Sequence, residues 1–367
     1  MHRPMRKVLF ISQYLYRNGT EAFMMNVFRG IDHHRFQIDF LLYSWEETDY
    51  SREVEQAGGK VYRVPCRKES LWKWHQSLCS FFKQHAKEYS AIHFCGNSLT
   101  TMAPIYYAYK YGVPVRIVHA HNSSARGWHN KFLHCLKRDY VYHISTHHFA
   151  CSTLAAQWFF GKKQSIIIRN GIDVKKFTFN KSIREQCRED LGIKANDVVV
   201  GHVGRFVEEK NHLFMVDVFA QFIQRCPNAK LMLIGVGSLM DKIKVKAEQL
   251  ELSDKILFMG ERSDVNHLMQ AMDVFLMPSL FEGFPFVLVE AQAAGLPCLI
   301  SDTINKDICI TSNISFASLE ETPKEWAEKL FERCNAFVRT DCSESIVDSG
   351  YSIEDTIRFL QKVYTTD

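Results

Sequence analysis

No CxxC pair occurs among the 11 cysteines of this 367-residue sequence. That removes the ligand spacing of a structural zinc module and the framework of a disulfide-stapled domain. Cys95, Cys151 and Cys298 lie inside apolar runs, so reduced thiols in a cytosolic protein are expected. The opening stretch runs from Arg6-Lys7 straight into Val8–Ile11 without a long apolar segment and small-residue cleavage site, so no signal peptide is expected. The one long apolar stretch, Val274 to Ile300, is interrupted by Pro278 and Pro285 and carries Glu282 and Glu290. A spanning helix rarely tolerates these, and strand, loop, helix and strand fit better. The first apolar run leads into Gln13 through Glu21 rather than into GxGxxG, which removes a nicotinamide dehydrogenase. Asp-x-Asp metal motifs, short repeats and low-complexity tracts are absent too.

What is there describes a globular protein: 46% hydrophobic and 23% charged residues. The length suits two domains better than one core. The net charge of +4 conceals an asymmetry, since residues 1–178 sum to +13 and the remainder to −9. A basic half suggests a polyanion or an anionic membrane surface as partner. No nucleic-acid recognition motif accompanies it, so nucleic acid is not expected.

Short apolar runs alternate with amphipathic ones along the whole chain. The first set is Val8–Ser12, Ile38–Tyr43, Val61–Val64, Ala91–Phe94, Val115–His119, Phe149–Cys151 and Ile166–Ile168. The rhythm restarts with Val198–Val203, Leu231–Ile234, Ile256–Met259, Val274–Met277 and Cys298–Ile300. Near-continuous apolar strands separated by helices imply parallel sheets covered on both faces. The expected fold class is therefore α/β, with two doubly wound, Rossmann-like domains facing a cleft. The divisions fall at 1–178, 179–349 and a closing helical segment, 350–367, packing back toward the first domain.

Two constellations carry chemistry. In Gly201-His202-Val203-Gly204-Arg205, followed by Lys210, a buried strand ends at one cation and a helix begins at another. Cations at the carboxyl end of a parallel strand suit a diphosphate. In Pro278 to Gly295, a strand breaks at Pro278 and a helix starts near Phe286. The amides of Phe286, Val287 and Leu288 would face an anion. Glu282 in the loop and Glu290 in the helix are separated by seven residues in an almost uncharged run. Carboxylates there need partners, and sugar and ribose hydroxyls would supply them.

This last block resembles the Glu-x7-Glu signature of the family 4 retaining glycosyltransferases, which have the two-domain GT-B fold. Other matches follow in the family's order. Asn18-Gly19-Thr20-Glu21 resembles its first glycine loop, and Arg169-Asn170-Gly171-Ile172-Asp173 its hinge motif. Gly204-Arg205 with Lys210 resembles its phosphate clamp, and Leu233-Ile234-Gly235-Val236-Gly237 its Gly-x-Gly strand end. The resemblance is closest to capsular and exopolysaccharide enzymes. It implies transfer from a nucleotide-diphosphate sugar, with UDP-sugar as the expected donor, to a saccharide or lipid-linked saccharide acceptor, without cofactor or metal. It also implies that Gly204, Arg205 and Lys210 hold the pyrophosphate and Glu290 the ribose, with Val287 and Leu288 beside the nucleotide. Glu282 would bind the donor sugar beside Gly283, Phe284, Pro285 and Phe286, and Gly19 would approach the phosphates from the first domain. An active-site histidine is implied at the end of the strand Arg116–Ala120; either His119 or His121 fits, and His121 is preferred for the Asn122-Ser123 that follows. Two departures stand out: Asn18 replaces a common glycine, and Val236 a common acidic residue.

Two basic-aromatic stretches bear on the acceptor. Leu71, Trp74, Leu78, Phe81 and Phe82 recur at helical spacing among lysines, and Arg126 to Arg138 mixes Trp128, Phe132, Leu133 and Leu136 with Arg126, Lys131, Lys137 and Arg138. Such helices lie on anionic bilayers or pack aromatics into a core. A cytoplasmic protein, peripheral at the inner membrane face, is the corresponding expectation. The rival readings are an idle GT-B module that binds a nucleotide sugar or a partner, and a GT-B sugar-nucleotide epimerase.

Overall fold

The computed structural model describes residues 5–16, 19–122, 127–282, 284–336 and 339–366. The chain divides into two compact units: residues 1–171 with 352–367, and Ile172–Tyr351. The short helix Val174–Phe177, counted with the first domain on sequence, belongs to the second unit.

Among the described residues the first unit holds seven strands: β1 (Arg6–Ser12), β2 (Phe36–Leu42), β3 (Val61–Arg63), β4 (Ala91–Gly96), β5 (Val115–Ala120), β6 (His147–Ala150) and β7 (Ile166–Ile167). They pair in parallel in the order β3-β2-β1-β4-β5-β6-β7. Every residue of β4 is buried, as is β1 from Val8 onward. Because successive side chains point to opposite faces, each strand feeds two cores. Leu9 and Ile11 pack with Trp74, Leu78 and Phe82 of the helix Leu71–His85, while Val8 and Phe10 pack with Phe23, Met24 and Val27 of the helix Gly19–Gly30.

The closing helix Ile353–Tyr364 lies on that second face. Its Ile353, Ile357, Leu360, Val363 and Tyr364 form one apolar stripe, all buried in the first unit's core. Ser352 caps it by accepting the Asp355 amide. The Asn-Gly-Ile-Asp segment owes its glycine to this packing: a Cβ on Gly171 would sit 2.6 Å from the Ile353 nitrogen.

The second unit holds β8 (Val198–Val203), β9 (Ala229–Ile234), β10 (Ile256–Gly260), β11 (Val274–Met277), β12 (Cys298–Ser301) and β13 (Ile314–Ala317), all parallel, in the order β10-β9-β8-β11-β12-β13. The order reverses between β8 and β11. In such sheets ligands bind beyond the carboxyl ends of the strands at this switch point. No helix among the described residues is long and apolar enough to cross a membrane.

Candidate functional site

In the second unit the chain leaves β8 at Gly204 and Arg205, beside the loop that leaves β9. The two loops are laced together: the Gly204 amide donates to the Ile234 carbonyl at 2.9 Å, Phe206 to Val236 at 2.9 Å, and Leu239 to Phe206 at 3.0 Å. Such lacing needs glycine. Gly235 adopts φ +136°, and a Cβ there would lie 2.1 Å from the Gly204 oxygen; one on Gly237 would lie 2.4 Å from the Phe206 oxygen. The Gly-Val-Gly end thus serves to hold the Arg205 loop, and Val236 contributes its carbonyl while its side chain is exposed. Arg205 is exposed, with no ion pair among the described residues.

Lys210 ends a one-turn helix, Glu208–Lys210, and its stem passes Gly204. Its Nζ donates to Glu282 Oε1 at 2.6 Å, and both side chains are largely buried. Backbone geometry fixes the pairing, since the Leu280 amide donates to the Glu209 carbonyl at 2.8 Å. Two residues singled out on opposite motifs, 72 positions apart, therefore meet at the switch point. Desolvation offsets most of the Coulombic gain of a buried pair, so such a contact adds little net stability.

Beyond Glu282 the residues bear on the site unequally. Gly283 lies outside the described residues. Phe284 stacks on Tyr351 with ring centroids 5.7 Å apart, and Pro285 precedes the helix Phe286–Ala293. Three free amides were expected at that helix start. Leu288 donates to the Pro285 carbonyl at 2.9 Å, because the first turn closes tightly, which leaves Phe286 and Val287 without backbone acceptors among the described residues. Glu290 keeps partial exposure at its surface, yet it is set deep among surrounding protein, and that desolvation pushes its carboxyl up to about 8. It has no hydrogen-bond or ion partner among the described residues.

Sequence reasoning missed a polar layer beneath the clamp. His202 and His212 are fully buried. His202 Nδ1 lies 2.9 Å from the Leu276 carbonyl, but its Nε2, both His212 nitrogens and the Ser279 hydroxyl lack partners among the described residues. Burial first, and the Lys210 charge second, hold His212 down to about 4; His202 is lowered too, by burial, His212 and Lys210. Neutral rings thus back the cation. The signal was in the quoted Gly201-His202-Val203-Gly204-Arg205 run, where a histidine sits inside a buried strand.

In the first unit Gly19 opens the helix Gly19–Gly30, while Asn18 lies outside the described residues. His119 is buried on β5, and His121 follows, its amide donating to the Gly96 carbonyl at 3.1 Å. Their rings touch, with centroids 4.1 Å apart. Both His121 ring nitrogens are shielded and have no partner among the described residues, and desolvation pushes the ring down to about 3. His121 therefore offers a neutral donor and a neutral acceptor. Ser123, used in preferring it, lies outside the described residues.

The two basic-aromatic helices differ. In Leu71–His85, Trp74, Leu78, Phe81 and Phe82 are buried against the sheet and, of the large hydrophobic side chains, Leu71 and Trp72 remain exposed, so the core claims most of the stripe that could have met a bilayer. In the helix Trp128–Ile144, by contrast, Trp128, Phe132, Leu136 and Tyr140 are 74%, 63%, 68% and 46% exposed. Their spacing of four puts them along one face.

Residues 183–330 match the family described as Glycosyl transferases group 1. A Bacillus subtilis protein named as a glycosyltransferase, EpsF, is 32% identical over 99% of this chain and 97% of its own length. An Escherichia coli protein named as a UDP-Gal:alpha-D-GlcNAc-diphosphoundecaprenol alpha-1,3-galactosyltransferase is 30% identical over 81% of this chain and 79% of its own. Among solved structures, Anabaena HepE in complex with UDP superposes with a TM-score of 0.78 at 17% identity, covering 97% of this chain and 98% of that one. WaaG, a glycosyltransferase involved in lipopolysaccharide biosynthesis, gives 0.69 at 18% identity over 98% and 100%. These likenesses support the GT-B fold for the two parallel-sheet units. The chain belongs to the group 1 glycosyltransferases of the capsular and exopolysaccharide type, and is a transferase.

Proposed function

We propose that the protein is a retaining glycosyltransferase that moves a sugar from a UDP-sugar to a lipid-linked saccharide. The observation that carries this reading is the Lys210–Glu282 contact at the switch point of the second sheet, with the unpartnered Glu290 nearby in sequence. A diphosphate arriving there would take Lys210 from Glu282 and engage Arg205. Glu282, relieved of its cation, would accept hydrogen bonds from sugar hydroxyls, while Glu290 would accept them from the ribose. Both arginine and lysine charge help more as the diphosphate departs, so the clamp favours the transition state over the bound donor. Among the described residues none stands out as a nucleophile for double displacement. Front-face attack follows, with the acceptor hydroxyl entering on the leaving-group side and passing its proton to a donor phosphate oxygen. Gly19 and His121 are the first unit's contribution. No metal is required on this reading, and transfer should survive a chelator.

UDP is supported as the nucleotide by the solved HepE complexes and by the name of the E. coli relative, which also prints a diphosphoundecaprenol acceptor. Contact with an anionic membrane is supported by the exposed stripe Trp128, Phe132, Leu136 and Tyr140 on a helix that also carries Lys131, Lys137 and Arg138. Flotation with anionic liposomes should carry the wild type, and Phe132→Glu with Leu136→Glu should release it; equal flotation would remove the membrane from the account. Incubation with a panel of nucleotide sugars and a lipid-linked acceptor, followed by anomer analysis of the product, tests the reaction. Retained configuration is expected. Inverted product, epimerised donor, or donor bound without turnover would each overturn it.

A further inference from the structure

A hydrogen-bonded line crosses the interior of the first unit, and the donor-site residues leave it unused. It starts on the closing helix, where the Tyr364 hydroxyl lies 2.7 Å from His93 Nδ1 on β4. From His93 Nε2 it continues to His119 Nδ1 on β5, at 3.1 Å. All three side chains are fully buried. The register pairs Cys95 with His119 and His93 with Ile117, which sets the two histidines on the same face of neighbouring strands. Beyond His119 the line reaches His121 by ring contact, and Phe23 packs against both rings at 4.9 and 5.2 Å.

Two proton arrangements are open to this line, and the acceptors near its two ends favour one of them. Burial holds His93 and His119 neutral, so each ring carries one N–H and one lone pair. If His93 donated to Tyr364, the phenolic hydrogen would have no acceptor among the described residues, and a buried orphan donor is costly. Tyr364 O–H therefore donates to His93 Nδ1, and His93 Nε2–H donates to His119 Nδ1. The remaining proton of His119 then falls on Nε2, which makes no hydrogen bond among the described residues but has the Ile168 carbonyl near its ring, an acceptor that the Tyr364 hydroxyl lacks. The groups facing the line from the surrounding elements are Glu21 on the helix Gly19–Gly30, Cys95 on β4, His121 after β5 and His147 on β6. His93, Cys95 and His119 also bring possible metal-ligating atoms within 4.8 Å of one another, but both His93 nitrogens are already engaged by hydrogen bonds.

We infer that Tyr364 and His93 are positioning residues: they hold His119 in a single neutral tautomer, and the fixed His119 ring seats His121. The inference rests on the reading of His121 as the first unit's contribution to sugar transfer. It gives the closing helix a task beyond packing, since its last residue but two within the described chain sets the hydrogen-bond direction at a strand end.

The test combines ring-nitrogen NMR with kinetics on the full chain. In wild-type protein with 15N-labelled histidine, His119 should show one tautomer, protonated at Nε2. Tyr364→Phe removes only the hydroxyl and should populate the second tautomer, lowering kcat on the order of tenfold with little change in donor KM. His93→Gln, which retains an acceptor and a donor, should keep more activity than His93→Leu. Phe359→Leu serves as the structural control, because Phe359 packs on Phe149 from the same helix without joining the line; its kcat per folded molecule should match wild type. The inference is overturned if Tyr364→Phe leaves the His119 tautomer or kcat unchanged, or if Phe359→Leu lowers kcat as far as Tyr364→Phe does. If the tautomer shifts but His121→Ala transfers sugar at the wild-type rate, the reading of His121 fails, and with it the link from the line to transfer.

Discussion

Both units bury neutral histidines, but they differ in the groups that stand beside them. In the second, ionisable groups gather beyond the strand ends: Lys210 is paired with Glu282 at 2.6 Å, Arg205 is exposed, and Glu290, its carboxyl raised to about 8, has no partner among the described residues. In the first, the groups at the ends of β4 and β5 are neutral imidazoles joined by hydrogen bonds and ring contacts, and desolvation keeps them so. A diphosphate needs localised positive charge close to low-dielectric walls, which Lys210 and Arg205 offer in the second unit. A neutral, directional network does something else, fixing where a ring points. The difference suggests a division in which one unit binds charge and the other supplies orientation.

The comparison is broken most severely at Lys210. Lys210→Ala should lower turnover at saturating donor by about 10²- to 10³-fold, whereas the positioning variant of the first unit loses on the order of tenfold. Steady-state kinetics on both proteins checks this, and equal losses would erase the distinction. A smaller effect is expected at Glu290. Because ribose hydroxyls favour the ionised carboxylate, nucleotide binding should release its proton, and affinity for UDP should rise by up to about tenfold between pH 7 and 8. Calorimetric titrations of Glu290→Gln should lose that rise; a retained slope would assign it to another group.

The smallest effect concerns stability. The Glu290 carboxyl is raised on folding, so the folded chain holds its proton more tightly than the unfolded one. Its contribution is fully present below the ordinary carboxyl range near 4.5 and is lost as pH rises to about 8. Between pH 5 and 8 the wild-type melting temperature should therefore fall relative to Glu290→Gln, by roughly 2–4 °C for each kcal/mol lost. Parallel melting curves across that range would mean that solvent still reaches the carboxylate.

Much of this was legible before any coordinates. Strands such as Val198–Val203 and Val274–Met277 announce themselves because a parallel strand buried on both faces must be apolar throughout. β13, Ile314–Ala317, escaped because an edge strand of four residues, three of them only half-buried, leaves almost no pattern. The stripes at Leu71–His85 and Trp128–Ile144 looked alike, since periodicity reports a common face without saying what covers it; the first lies on the sheet and the second stays exposed. Glu282 and Glu290 stand out as carboxylates in an almost uncharged run, and Arg205 and Lys210 as cations at a strand end and a helix start. Their pairing does not, because the contact between Lys210 and Glu282 depends on β8 and β11 being neighbours. The Tyr364–His93 contact spans 271 positions, and no local signal encodes it.

The central claim is that Arg205 and Lys210 form a diphosphate clamp, and a ligand–protein cycle tests it most directly. Binding of UDP and of uridine is measured on the wild type and on the Arg205→Ala, Lys210→Ala double variant. The account predicts that the wild type strongly prefers UDP, and that the two ligands bind the variant almost equally while uridine affinity hardly changes. An undiminished preference for UDP in the variant would contradict it.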